Sequence, residues 1–187
     1  MAKLVYSMIT SLDGYVADPS GDIRWGAPDA EAGAYINDLE RDTGTVLYGR
    51  RMYEVMVYWE TQGSSDDDDA SRDFAATWRA QDKIVYSTTL GHVSSAKTTL
   101  EHAFVPDAVR QLKEASTRDL SIAGPHLASQ AIEARLVDEM HLYVVPITLG
   151  GGTPVLPGEE RIDLSLLDVT HFQSGLVHLH YGFTYAQ

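Results

Sequence analysis

The 187-residue chain contains no cysteine, so neither a disulfide framework nor a thiolate metal site is available to it. It is also short of cations. Fourteen Lys and Arg stand against 27 Asp and Glu, a formal charge of −13. A chain this acidic lacks the basic footprint that nucleic-acid phosphates require, which argues against nucleic acid as a partner. Long hydrophobic runs are missing too: no apolar stretch approaches the roughly 20 residues of a membrane helix. Met1-Ala2-Lys3-Leu4-Val5-Tyr6 enters a strand pattern without the architecture of a signal peptide, and a cytoplasmic protein is expected. There is no Gly-x-Gly-x-x-Gly fingerprint, which argues against a Rossmann dinucleotide domain. There is no Gly-x-Ser-x-Gly either, so a serine hydrolase is unsupported.

What is present is the pattern of an α/β protein. The apolar fraction, 44%, is ordinary for a globular chain, and the length suits one domain spanning 1–187. Residues 3–11 read as a strand and 18–22 as a turn cluster. A helix from Asp29 to about Arg41 carries Tyr35, Ile36 and Leu39 as its core face. A short strand at 45–48 precedes a helix at 51–57. A further helix holds Phe74 and Trp78 one turn apart, and strand 83–87 follows. Pro106 opens a helix to Ser116, then come strand 120–123, a helix from Pro125 to about Leu136, and strand 141–148. The segments 166–172 and 176–185 form an antiparallel pair turning at Ser174-Gly175. The order β-α-β-α with a β-rich end predicts a three-layer αβα sandwich. Its mixed sheet is mostly parallel, with an antiparallel C-terminal edge.

Several strands end in chemistry suited to an anion. Gly49-Arg50-Arg51-Met52 follows one strand and opens a helix, so free backbone N–H groups and an arginine could hold a phosphate. Ala123-Gly124-Pro125-His126 is a second such junction, with glycine permitting close approach and Pro suited to the first helical turn. Ser87-Thr88-Thr89 offers hydroxyls at a third strand end. Each has a plainer alternative, as a tight turn or a run of strand formers. All three fall where open α/β sheets bind ligands, at the carboxyl ends of strands. In an acidic chain, cations would concentrate at an anion site, and Arg50, Arg51 and His126 are placed to do so.

Other features favour plain readings. Asp66 to Asp69 could chelate a metal, but a solvated loop is the expectation. His178 and His180 share one strand face, yet no carboxylate or third histidine is evident beside them, so no metal site is expected. Gly150-Gly151-Gly152 is either a loop approaching a ligand or a flexible turn.

Taken in order, SLDGYVA (11–17), YGRRMYE (48–54), KIVYSTTL (83–90), IAGPHLASQAI (122–132) and LVDEMHLYVVPITLGGGTPVL (136–156) resemble the dihydrofolate reductase-like superfamily. The closer resemblance is to the branch related to the C-terminal reductase domain of the riboflavin-biosynthesis deaminase–reductase. It spans nearly the whole chain and implies a dihydrofolate reductase-like sandwich with NADPH as cofactor. By position it implies Ile9, Val16 and Ala17 near the nicotinamide, and Gly49, Arg50, Arg51 and Met52 on the pyrophosphate and adenosine side. It also implies Ser87 and Thr88 at the 2′-phosphate ribose, and Ala123, Gly124, Pro125, His126 and Leu127 as the second phosphate turn. A homodimer through the C-terminal strands is implied as well.

The chain departs from the family pattern at informative places. Gly124 stands alone between Ala123 and Pro125 where dihydrofolate reductases carry two glycines. Val145 replaces the threonine that backs their acid, and Ile122 the glutamate with which riboflavin reductases contact the ribityl phosphate. The expected activity is an NADPH-dependent reduction of a C=N or C=C bond in a small pterin-like or related heterocycle. Asp29 or Glu31 would assist protonation, Asp29 with a pKa raised by burial beside Trp25. Trp25, Tyr53 and Trp59 would wall the substrate pocket. The alternatives are a catalytically silent nucleotide-binding protein of the same fold and a riboflavin-precursor reductase.

Overall fold

The computed structural model describes residues 1–63, 68–156 and 161–185. Among the described residues ten strands appear: β1 (Leu4–Ser11), β2 (Tyr15–Ala17), β3 (Thr43–Gly49), β4 (Asp82–Tyr86), β5 (Thr98–Glu101), β6 (Asp119–Ala123), β7 (Glu139–Val145), β8 (Thr153–Pro154), β9 (Asp163–His171) and β10 (Val177–Thr184). Five α-helices join them: α1 (Ala30–Glu40), α2 (Arg50–Met56), α3 (Asp69–Ala80), α4 (Pro106–Ala115) and α5 (Pro125–Glu133). Eight strands form one sheet in the order β5-β4-β3-β6-β1-β7-β10-β9. Pairing is parallel from β5 through β7, and β10 runs antiparallel to both β7 and β9. The expected sandwich with its antiparallel C-terminal edge is therefore present. β1 lies inside the sheet, between β6 and β7.

Side-chain alternation sorts the sheet into two faces. Leu4, Tyr6, Leu47, Leu120, Ile122, Met140 and Leu142 pack with Val109 of α4 and Ile132 of α5. On the other face Val46, Tyr48 and Val85 pack with Trp78 of α3, while Tyr143 packs with Ala32 of α1. This second face also carries polar groups, Ser7, Ser121 and His141 among them. Their alternation with the apolar residues of the first face makes it the more chemically varied side.

Local signals explain the element ends. Asp29 caps α1, its carboxylate accepting from the Ala32 N–H at 2.8 Å. Asp68 caps α3 through the Ser71 N–H at 2.9 Å. Half of the acidic run is thus a helix start rather than loop: Asp68 is the cap and Asp69 the first helical residue. Asp66 and Asp67 lie outside the described residues. Three strands, β2, β5 and β8, were not expected from the sequence. β5 is a short edge strand of half-exposed residues, and the two-residue β8 pairs with β2 in a separate ribbon. Among the described residues no helix is long and apolar enough to cross a membrane.

Asp13 holds that ribbon in place. Its carboxylate accepts from Ser11 Oγ at 2.7 Å, from the Leu149 N–H at 3.0 Å and from the Gly150 N–H at 2.7 Å. These hydrogen bonds, led by the one from Ser11, hold its pKa down at about 2. The Ser-Leu-Asp-Gly turn is thereby tied to the triple-glycine loop. Gly152 closes the junction at φ +127°, where any Cβ would overlap the Ala17 carbonyl oxygen. What this glycine lets approach is its own chain.

Candidate functional site

The carboxyl ends of β1, β3, β4 and β6 open on a single cleft of about 1940 Å³. Small or conformationally special residues stand where the strands stop. Gly49 precedes α2, and Gly124 precedes α5 at φ +94°, a left-handed conformation that favours glycine. A Cβ on Gly124 would lie 3.2 Å from Cβ of Met52. Part of the reason for glycine here is thus the close passage of α2, independent of any ligand.

Ile9, Val16, Ala17, Gly49, Arg50, Arg51, Met52, Ser87, Thr88, Ala123, Gly124, Pro125, His126 and Leu127 all line this cleft, as do Trp25, Asp29 and Trp59. Arg50 is exposed and bonded to Glu54 at 2.7 Å and to Thr89 Oγ1 at 2.9 Å. Arg51 and His126 are exposed on the same rim. Ser87 is buried, its Oγ accepting from the N–H groups of Thr89 and Leu90 at 3.2 and 3.0 Å. Its hydroxyl therefore braces the turn, leaving Thr88 and Thr89 exposed, with the Thr89 hydroxyl accepting from Arg50.

Three expected roles are corrected. Asp29 is exposed, and capping of α1 with a hydrogen bond from Ser174 lowers its pKa rather than raising it. Glu31 is exposed, accepts from the Gln173 N–H at 3.3 Å and is not among the cleft-lining residues. Tyr53 does not wall the cleft. It is buried, and its hydroxyl accepts from the N–H groups of Ser94 and Ser95 at 2.9 and 3.2 Å.

The structure instead brings forward Glu40. This last residue of α1 lines the cleft beside Ser7, Tyr48 and Tyr143. Its carboxyl is withdrawn from water, which pushes its pKa up against the opposing effect of hydrogen bonds to Thr43 and Ser7. The other lining carboxyls, Asp22, Asp29 and Asp68, are all held below their usual range. Close by, the Tyr48 hydroxyl accepts from Trp78 Nε1 at 3.2 Å. The Tyr143 hydroxyl is buried near Ser7 without a partner in hydrogen-bond geometry. A sequence signal for Glu40 existed: an acid in the last turn of a helix opposes the macrodipole and needs a reason to be there.

Outside the cleft, His178 and His180 are accompanied after all. β7 places Glu139 and His141 on the same face, with His141 directly opposite His180. His141 Nδ1 lies 2.7 Å from His178 Nε2, and His180 Nε2 lies 3.1 Å from Glu139 Oε2.

The sheet order and this strand-end cleft define a dihydrofolate reductase-like α/β protein. More narrowly, the chain belongs to the RibD C-terminal domain family, whose sequence pattern matches residues 2–178. It is 24% identical over 181 residues to the uncharacterized protein YyaP of Bacillus subtilis, covering 96% of this chain and 94% of that one. A candidate riboflavin biosynthesis protein from Shewanella sp. PV-4 superposes with a TM-score of 0.75 at 22% identity, covering 99% of this chain and all of that one. The Thermotoga maritima diaminohydroxyphosphoribosylaminopyrimidine deaminase/5-amino-6-(5-phosphoribosylamino)uracil reductase superposes with a TM-score of 0.69 at 14% identity. There the match covers 98% of this chain but only 57% of the longer protein.

Proposed function

We propose that this protein is an NADPH-dependent reductase that transfers hydride to a C=N or C=C bond of a small heterocycle. The observation that carries the reading is the convergence of four strand ends, β1, β3, β4 and β6, on one cleft. Its volume, about 1940 Å³, exceeds the roughly 300–1,000 Å³ of a single small-ligand site, so a dinucleotide and a second molecule fit together. The residues present suit NADPH. Arg50 and Arg51 place positive charge on the rim of a chain with formal charge −13, His126 adds a ring nitrogen, and Thr88 adds an exposed hydroxyl. Ile9, Val16 and Ala17 supply an apolar wall for the nicotinamide.

Bound NADPH would supply the hydride; the chain supplies binding, orientation and a proton. Trp25 and Trp59 offer flat apolar surfaces to a heterocycle. Reduction of C=N also requires a proton at nitrogen. Asp29 and Glu31, exposed and occupied with caps and turns, are poorly suited to deliver it. Glu40 is better suited, because a desolvated carboxyl retains its proton at higher pH, and the unpartnered Tyr143 hydroxyl lies in the same recess. The expected homodimer would use the β9 edge, where Leu166, Leu167 and Val169 are 55%, 50% and 54% exposed. Light scattering checks it.

Calorimetric titration of NADPH into the wild-type protein and into R50A/R51A tests the cofactor assignment. At least tenfold weaker binding by the double variant is expected. Equal affinity refutes the phosphate role of the arginines. No NADPH binding by the wild type refutes the function.

A further inference from the structure

We infer that the antiparallel ladder of β7 and β10 holds a zinc-class divalent cation between Glu139, His141 and His180. This site is separate from the cleft, whose lining includes none of the three, and it does not depend on the reductase reading. β7 presents Glu139-x-His141 and β10 presents His178-x-His180. Strand alternation puts all four on one face, and register sets His141 opposite His180. One ligand atom from each of Glu139, His141 and His180 lies within 4.8 Å of the other two. Glu139 and His180 are already 3.1 Å apart, near the ligand–ligand spacing of about 3.4 Å that follows from tetrahedral bonds of about 2.1 Å. The rings of His141 and His180 are stacked at 4.2 Å and 21°. Capture therefore requires them to tilt so that both rings turn a nitrogen toward a shared ion.

Two further observations point to a ligand. His141 is oriented from behind, as metal-binding histidines are: its Nδ1 is engaged by His178 Nε2 at 2.7 Å, and His178 Nδ1 by the Tyr35 hydroxyl at 3.1 Å. That leaves His141 Nε2 for the cluster. The second is that a cation already sits there. Lys3 Nζ lies 2.7 Å from Glu139 Oε1, on a side chain 52% exposed that can swing into solvent. Opposite Glu139 stands Gly182, which adds no side chain to crowd the site. Two imidazole nitrogens with one carboxylate suit zinc and its neighbours rather than magnesium or calcium, which favour oxygen. Three protein ligands leave a fourth position for water.

The test is calorimetric titration of ZnCl2, with MgCl2 in parallel, into EDTA-stripped full-length protein. One equivalent of zinc should bind, at least tenfold more weakly in E139Q and in H141A. H180Q replaces H141A if circular dichroism shows that variant unfolded. K3A should bind zinc several-fold more tightly, because it removes the competing ammonium; a ligand set elsewhere would not respond. The inference is overturned if zinc does not bind. It is equally overturned if the ligand variants leave the affinity unchanged, if K3A does not tighten binding, or if magnesium binds as well as zinc. Weak, multi-equivalent binding would mean an adventitious ion only and would likewise overturn it.

Discussion

Alanine at Gly152 should be far more damaging than alanine two residues earlier, and the structure sets the difference. Gly150 has φ +72° with open space where a Cβ would go. G150A therefore carries only the left-handed penalty of about 1–2 kcal/mol, offset by about 0.4–1 kcal/mol from a stiffer unfolded chain. At Gly152 the φ is +127°, and the new Cβ would overlap the Ala17 carbonyl oxygen and stand 2.9 Å from the Asp18 carbonyl carbon. These are main-chain atoms that no rotamer change can move aside. Overpacking adds about 1–3 kcal/mol, so a net loss of about 1–4.6 kcal/mol is expected against about 0–1.6 kcal/mol for G150A. At about 2–4 °C per kcal/mol for a domain of this size, Tm should fall by about 2–18 °C in G152A and by at most about 6 °C in G150A. Thermal and urea unfolding followed by circular dichroism measures both. Relief of the clash would separate β8 from β2, moving Val16 and Ala17 out of the cleft wall, so G152A should also bind NADPH more weakly. Equal Tm shifts in the two variants would refute the close-packing argument.

Glu40 should reveal itself in the pH dependence of stability. Its folded-state pKa lies above the unfolded value, so the native state binds the extra proton and stability falls as pH rises from about 4.5 upward. E40Q removes that titration. Its stability relative to wild type should improve between pH 4 and pH 8, and a pH-independent difference in urea midpoints would contradict the buried-acid assignment. Asp13 has the opposite sign. Its lowered pKa makes its contribution fully present above the unfolded value of 3.8 and lost as pH falls through about 2. D13A should lower Tm by the same amount at pH 6 and pH 8, and a loss that grows across that interval would show that some other group is responsible.

The features legible in the sequence are those whose cause is local. Gly49, Pro106 and Gly124 mark element boundaries through backbone conformation, and the periodic apolar residues reveal most strands. β5 escaped because its four residues, Thr98 to Glu101, are half-exposed and lack a strong apolar pattern. The two-residue β8, with its partner β2, depends on Asp13, 136 and 137 residues from Leu149 and Gly150, holding the loop before it and on Gly152 packing against the Ala17 main chain. The candidate site divides in the same way. The strand-end residues Arg50, Arg51 and His126 were readable as cations near helix starts, whereas Tyr53 looked like a cleft aromatic until Ser94 and Ser95, 41 and 42 residues on, claimed its hydroxyl. Glu40 showed in the sequence only as an acid placed against the helix macrodipole; its desolvation comes from the fold around the end of α1 and had no local signature. Glu139 and His141 could not be joined to His178 and His180 without the register of β7 against β10.

The interior position of β1 has a consequence for the order in which the protein can assemble. Leu4 pairs with Leu120, and Val5 with both Ser121 and Glu139, so β1 waits for partners that are synthesised more than a hundred residues after it. At about 5–20 residues per second, roughly 7–28 s separate its appearance from that of the end of β7. During that interval the apolar Leu4, Tyr6 and Met8 have no sheet to enter. The sheet is thus built to close only once β6 and β7 are made, and until then β1 is an apolar segment open to a chaperone.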